Sequence, residues 1–157
     1  MCLFAEWGLA GQMEKDSGGF QGIPWGASLT HLPALVLIEP GALIQTYVYQ
    51  RHPPEFGHIS VESMKLLSVD GQFARVMIRY RGANVHRQLL AYLELRFGPI
   101  DTQRGAMVRG LNQQYTWRGE ETEITLTYRG LGERGFIDVG SRVLLPRFLD
   151  AISDHSF

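Results

Sequence analysis

An α+β fold is what this sequence predicts: one domain in which an antiparallel sheet carries helices packed on one face. Three observations carry that expectation. Alternating apolar and polar residues flank a turn at Asp70-Gly71, a helical stripe of Val85, Leu89, Leu90, Leu93 and Phe97 runs up to Gly98-Pro99, and Ile124, Leu126 and Tyr128 alternate with Glu123, Thr125 and Thr127. At 157 residues the chain suits a single domain. A chain of that length buries roughly two-thirds of its unfolded surface and needs no disulfide or metal staple.

The elements follow in order from the punctuation. Residues 1–17 end in a polar, glycine-containing lead-in and read as a flexible N-terminal segment. The domain then spans 18–153, and 154–157 form a C-terminal tail. Phe20-Gln21-Gly22-Ile23-Pro24-Trp25-Gly26 is too rigid and too apolar for a solvated tail, so Trp25 is expected to be largely buried. Ser28 suits an N-cap for a short first helix that Pro33 stops. Residues 34–38 and 43–50 are strand-like, and the paired prolines Pro53-Pro54 make 51–58 the longest loop.

A hairpin of 62–68 and 72–81 comes next. A two-residue turn would set Lys65 opposite Val76 and Ser63 opposite Ile78. A three-residue loop of Val69, Asp70 and Gly71 instead pairs Met64 with Val76 and Leu66 with Ala74, and is the expected register. Ala74, Val76, Ile78 and Tyr80 then face the core, with Arg75, Met77, Arg79 and Arg81 facing away. Asn84 is the expected cap of a long core helix that Gly98 and Pro99 close. After a loop over 100–112, strands are expected at 113–118, 123–129 and 135–141, and an amphipathic piece with Phe148, Leu149 and Ile152 at 146–153. The order can be read as a tandem of two helix-plus-three-strand units, 20–82 and 83–141. Identity between the halves is too low to establish a duplication.

Charge narrows the partners. Net charge is -1, so no global pull toward nucleic acid or anionic membrane is expected. Cys2 is the only cysteine, which excludes an intrachain disulfide and a cysteine-rich zinc site. The opening stretch lacks a basic region and is too short for a signal sequence, and 32–48 is broken by Pro33, Glu39, Pro40 and Gly41, so no membrane span is expected. As written the chain reads as cytoplasmic. If Met1 replaces a removed signal, Cys2 would be the lipid-bearing residue of a periplasmic or envelope lipoprotein.

Phe20 to Gly26, the helix end Leu95-Arg96-Phe97-Gly98-Pro99, Gln114-Tyr115-Thr116-Trp117 and Ile124-Thr125-Leu126-Thr127-Tyr128 together resemble a loosely defined group of small uncharacterised bacterial proteins. These often begin F-x-G-I-x-W-G and are frequently exported or lipid-anchored. The resemblance covers about residues 20–141 and implies no established activity. A helix followed by three antiparallel strands is also similar to small envelope lipoproteins of the outer-membrane assembly type and to the tandem β-lactamase-inhibitor fold, which implies protein binding.

Candidate chemistry is sparse. There is no G-x-S-x-G and no phosphate loop, and the charged turn of Glu120, Glu121 and Glu123 reads as solvated. His52, Glu55 and His58 supply imidazole and carboxylate groups within one loop, but at a spacing that matches no helix face; a solvated loop is expected, with a metal as the alternative. His31 and His86 are expected at helix surfaces or ends. The sharper feature is basic: no acidic residue lies between Gly71 and Leu93, while Arg75, Arg79 and Arg81 share one strand face and Arg87 opens the next helix. These four are the candidate binding residues for a carboxylate-rich partner or for nucleic-acid phosphates, the second disfavoured because Phe73 is the one aromatic that alternates with the arginines. The expected function is a non-enzymatic protein-binding or scaffolding domain without cofactor. The alternative is a small-ligand or metal-dependent enzyme using the His52 to His58 loop.

Overall fold

Hydrophobic alternation organises this chain into strands far more than into helices. The computed structural model describes residues 11–50, 53–100 and 106–147. In chain order these form β1 (Gly11–Gln12), β2 (Gly19–Phe20), β3 (Ile23–Pro24), β4 (Leu35–Pro40), β5 (Ile44–Tyr49), β6 (Glu55–Phe56), β7 (Ile59–Ser60), β8 (Ser63–Val69) and β9 (Gln72–Arg81). There follow α1 (Ala83–Phe97), β10 (Ala106–Arg109), β11 (Asn112–Arg118), β12 (Thr122–Arg129) and β13 (Arg134–Ser141). One continuous antiparallel sheet runs β4-β5-β8-β9-β13-β12-β11. The far edge of β11 is shared by β10, which is antiparallel, and by the short β1, which joins it in parallel at Trp117 and Arg118.

The α+β expectation is overturned. The domain is mostly β, with 50% of the described residues in strands and 14% helical, nearer to a sandwich or barrel-like architecture than to a sheet with helices packed on one face. No first helix forms, because the Ser28 hydroxyl pairs with the Thr30 hydroxyl at 2.8 Å instead of capping backbone N–H groups. Isolated turn bonds, Leu32 N–H to Leu29 C=O and Leu35 N–H to Leu32 C=O, carry the chain around Pro33 into β4. At the other end, residues 145–147 make a helical turn beside Leu144, which packs with Leu67, Val69 and Ala74 on the face opposite α1. The expected tandem fails for the same reasons: the first unit has no helix, and β9 and β13 join both halves into a single sheet.

The hairpin also differs from its expected register. Asp70 and Gly71 have φ of 54° and 78°, the two positive angles of a tight two-residue turn, and Val69 pairs with Gln72. The extra residue needed to bring the apolar faces into line is Ala74, inserted as a bulge within β9, after which Leu66 pairs with Val76 and Met64 with Ile78. Met64, Leu66, Val76, Ile78 and Tyr80 face inward as the alternation implies. Ala74 instead joins the opposite cluster, and Phe73, fully buried, takes the inner position.

The inner face of the sheet is closed by α1, which buries His86, Leu89, Leu93 and Phe97. Gly82, at φ 108°, rather than Asn84, occupies the N-cap position. The C-terminal end of α1 is held by the indole of Trp117, which donates to the Gly98 carbonyl at 2.9 Å and has no exposed surface. The β2–β3 and β6–β7 hairpins complete the closure, with Phe20 stacked on Phe56 at 5.5 Å and Phe56 edge-on to Tyr92 at 5.3 Å.

The described part of the lead-in is held by the fold. Met13 is buried and its N–H bonds the Arg118 carbonyl, while Glu14 N–H bonds that of Phe97. Trp25 packs against the core with most of its surface covered, though it is not fully buried: it tilts onto Phe73 at 4.9 Å and donates to the Thr122 hydroxyl at 2.8 Å. Among the described residues no helix is long and apolar enough to cross a membrane.

Candidate functional site

Residues directly paired across an antiparallel sheet point to the same face, so the register alone assembles the outer surface. Arg81 pairs with Arg134, Arg134 with Arg129, Arg129 with Asn112, and Asn112 with Arg109. Four arginines from β9, β13, β12 and β10 thus lie in one row across the strands. The neighbouring row runs Arg79, Phe136, Thr127, Gln114 and Met107. Two open depressions, about 280 and 380 Å³, sit on these rows and share Thr127 and Arg129 in their linings.

The charges on this face divide into engaged and unengaged. Arg75 grips Asp138 through both Nε and a terminal nitrogen, with Nε to Oδ1 at 2.8 Å. Arg81 reaches Glu62 at 3.3 Å, Arg118 pairs with Glu123, and Lys65 lies 3.9 Å from Glu39. Arg79 lies over the Phe136 ring, 5.5 Å from its centroid. Among the described residues no carboxylate comes within ion-pairing distance of Arg109, Arg129 or Arg134, and all three are exposed.

Of the candidate binding residues, Arg75, Arg79 and Arg81 therefore share the outer face as the alternation of β9 implies. Arg87 lies apart from them, on α1, where it donates to the Asn84 side chain. Sequence reasoning missed Arg109, Arg129, Arg134 and Phe136 as members of the same surface. The sequence does carry a trace of it, in that Tyr80-Arg81-Gly82 and Tyr128-Arg129-Gly130 are the same tripeptide at two strand ends. In the structure Arg81 and Arg129 flank Arg134 in one row.

The proposed metal loop is only partly described. His52 lies outside the described residues, Glu55 is exposed on β6, and His58 is exposed at the turn into β7 with φ 63°. Among the described residues no group of three His, Cys, Asp or Glu side chains is arranged to hold a metal ion.

His86 is not at the helix surface. It is buried, stacked on Tyr128 at 3.8 Å, with Nδ1 2.9 Å from the Tyr80 hydroxyl and Nε2 2.8 Å from Gln113 Oε1. Desolvation pushes its pKa below 6.5, against the Gln113 hydrogen bond that raises it, and the Arg87 charge adds to the lowering. Burial likewise raises the Tyr80 phenol well above its ordinary value, helped by Tyr128 and Tyr115. Both ring nitrogens are committed, so the cluster serves as a satisfied polar plug in the core. A larger depression of about 520 Å³ beside Asp16 and Arg96 mixes both signs of charge, and its Asp16 carboxylate is taken up by backbone N–H groups. No known protein family, curated protein or solved structure matches this chain.

Proposed function

We propose that this chain is a non-enzymatic protein-binding domain and that the outer sheet face over β9, β13, β12, β11 and β10 is its docking surface. One observation carries the reading. The inner face is sealed by α1 and the two small hairpins, whereas among the described residues nothing covers this stretch of the outer face, which holds two adjoining depressions that share Thr127 and Arg129. Apolar side chains are presented there beside the charges, with Phe136 and Met107 each more than one-third exposed. The titratable groups that a catalytic reading would recruit, His86 and Asp16, are both consumed by internal hydrogen bonds.

A photo-crosslinking side chain placed at Thr127 tests this, with the same probe at exposed Gln88 on α1 as control. The expected result is a discrete adduct from position 127, competed by excess unmodified protein, and none from position 88. Absence of an adduct at 127, or equal capture at both positions, overturns the reading.

A further inference from the structure

Resting on that docking surface, we infer that the segment it takes is a carboxylate-rich stretch of another protein, laid across the strands along the row Arg134, Arg129 and Arg109. The register is the reason. Like charges set directly opposite one another on adjacent strands repel and destabilise a sheet. Here Arg81, Arg134 and Arg129 occupy three consecutive strands in direct opposition. Glu62 relieves the Arg81 end. Glu133, beside Arg134 in sequence, is turned away to the Ala83 N–H at the start of α1. Among the described residues the positive charge at Arg134, Arg129 and Arg109 is therefore left for an incoming anion.

The spacing suits an extended acidic peptide. Three strand-to-strand steps from β13 to β10 span about 14 Å, and three alternate side chains of an extended segment span about 13 Å. Each guanidinium offers a fork that fits one carboxylate. The adjoining row adds Phe136 and Met107, an apolar flank that excludes water from one side of those pairs. A single-stranded nucleic acid fits less well. Sheet surfaces that bind it stack successive bases on several aromatics. On these two rows Phe136 is the one aromatic, its ring already faced by Arg79.

The test is fluorescence anisotropy with a labelled ten-residue peptide of alternating Glu and Ser, its Gln and Ser counterpart, and a ten-nucleotide oligo-dT. The Glu peptide should bind at low salt and the Gln peptide should not. Arg129→Glu with Arg134→Glu should weaken the Glu peptide at least tenfold, Arg87→Glu should leave it unchanged, and salt should weaken it as the Debye length shortens. Arg134→Gln should melt no lower than the parent, because it relieves repulsion in the row. Equal binding of the Gln peptide, indifference to the double reversal, or tighter binding of oligo-dT overturns the acidic-segment proposal. A crosslink from position 127 that survives the double reversal overturns it too while leaving the docking face standing. Loss of that crosslink in the unreversed protein removes the docking face itself.

Discussion

The phenol of Tyr80 meets Nδ1 of His86 at 2.9 Å, and this contact together with Gln113 assigns the histidine's proton. Gln113 Oε1 can only accept, so Nε2 of His86 carries the hydrogen and donates. Nδ1 is then bare and accepts from Tyr80. Tyr115 donates to the same Gln113 oxygen at 2.9 Å, which completes the network.

A neutral buried histidine makes stability depend on pH in a definite direction. Its folded pKa lies below the ordinary histidine value of 6.5, chiefly through burial. The unfolded chain therefore binds more protons than the folded one as pH falls through that value, and stability falls with pH. The contribution is complete above about 6.5 and declines from there toward the lowered folded pKa. Melting temperature measured from neutral to mildly acidic pH should drop in the parent, and the drop should flatten in His86→Gln. A variant with the same slope as the parent would show that another group titrates.

Asp16 makes a prediction of the same sign in a more acidic window. Its Oδ1 accepts from Gly18 N–H at 2.9 Å and from the Thr122 hydroxyl at 2.7 Å, and its Oδ2 from the N–H groups of Glu121 and Thr122. Burial alone would raise its pKa, but the Thr122 hydroxyl and those three backbone bonds win and hold it below 3.8. This support is present above the unfolded pKa and lost as pH falls through the lowered folded value. Asp16→Asn, which puts an amide among N–H donors, should cost about 2 kcal/mol in urea unfolding near neutral pH. A truncation beginning at Gly18 should cost more, since it also removes buried Met13. An unperturbed truncation would place the start of the domain at residue 18 after all.

Gly135 is required by its neighbours rather than by its own torsion angles. It pairs with Tyr80 on one side and Tyr128 on the other, and a Cβ built there would fall inside the Tyr80 ring. Tyr80, His86 and Tyr128 lie within 7° of parallel, so Tyr80 cannot tilt away without disturbing the stack. Gly135→Ala should therefore destabilise by about 3 kcal/mol through overpacking.

What could be read from the sequence was whatever is set within about ten residues. The alternation of Ile124, Leu126 and Tyr128 and the stripe of Leu89, Leu93 and Phe97 are local, and both put those residues in the core. Ala74 shows the limit even there: the need for one extra residue in the hairpin was legible, but a bulge in β9 satisfies it as well as a longer loop does. The arginine row was out of reach for a different reason. Arg81 and Arg134 meet only because β13 returns to β9 across α1 and three other strands, and nothing in the local alternation specifies that partner. His86 was misplaced because its burial depends on Gln113 and Tyr128, both long-range neighbours.

Ser68 carries the last prediction. It pairs with Phe73 where β8 meets the bulge, it is 1% exposed, and among the described residues its hydroxyl has no hydrogen-bond partner. A buried hydroxyl without a partner loses its hydration with no compensation, at a cost of about 1 to 3 kcal/mol. Replacing it with Ala removes that cost and leaves a gap of only one oxygen atom. Ser68→Ala should thus raise stability by about 1 kcal/mol, or about 3 °C in melting temperature for a domain of this size. The bulge and its register should be unchanged, so the near-ultraviolet signal of the nearby Trp25 and Phe73 pair should match the parent. A fall in melting temperature would mean that the hydroxyl is satisfied in solution, with an ordered water at the bulge the first place to look.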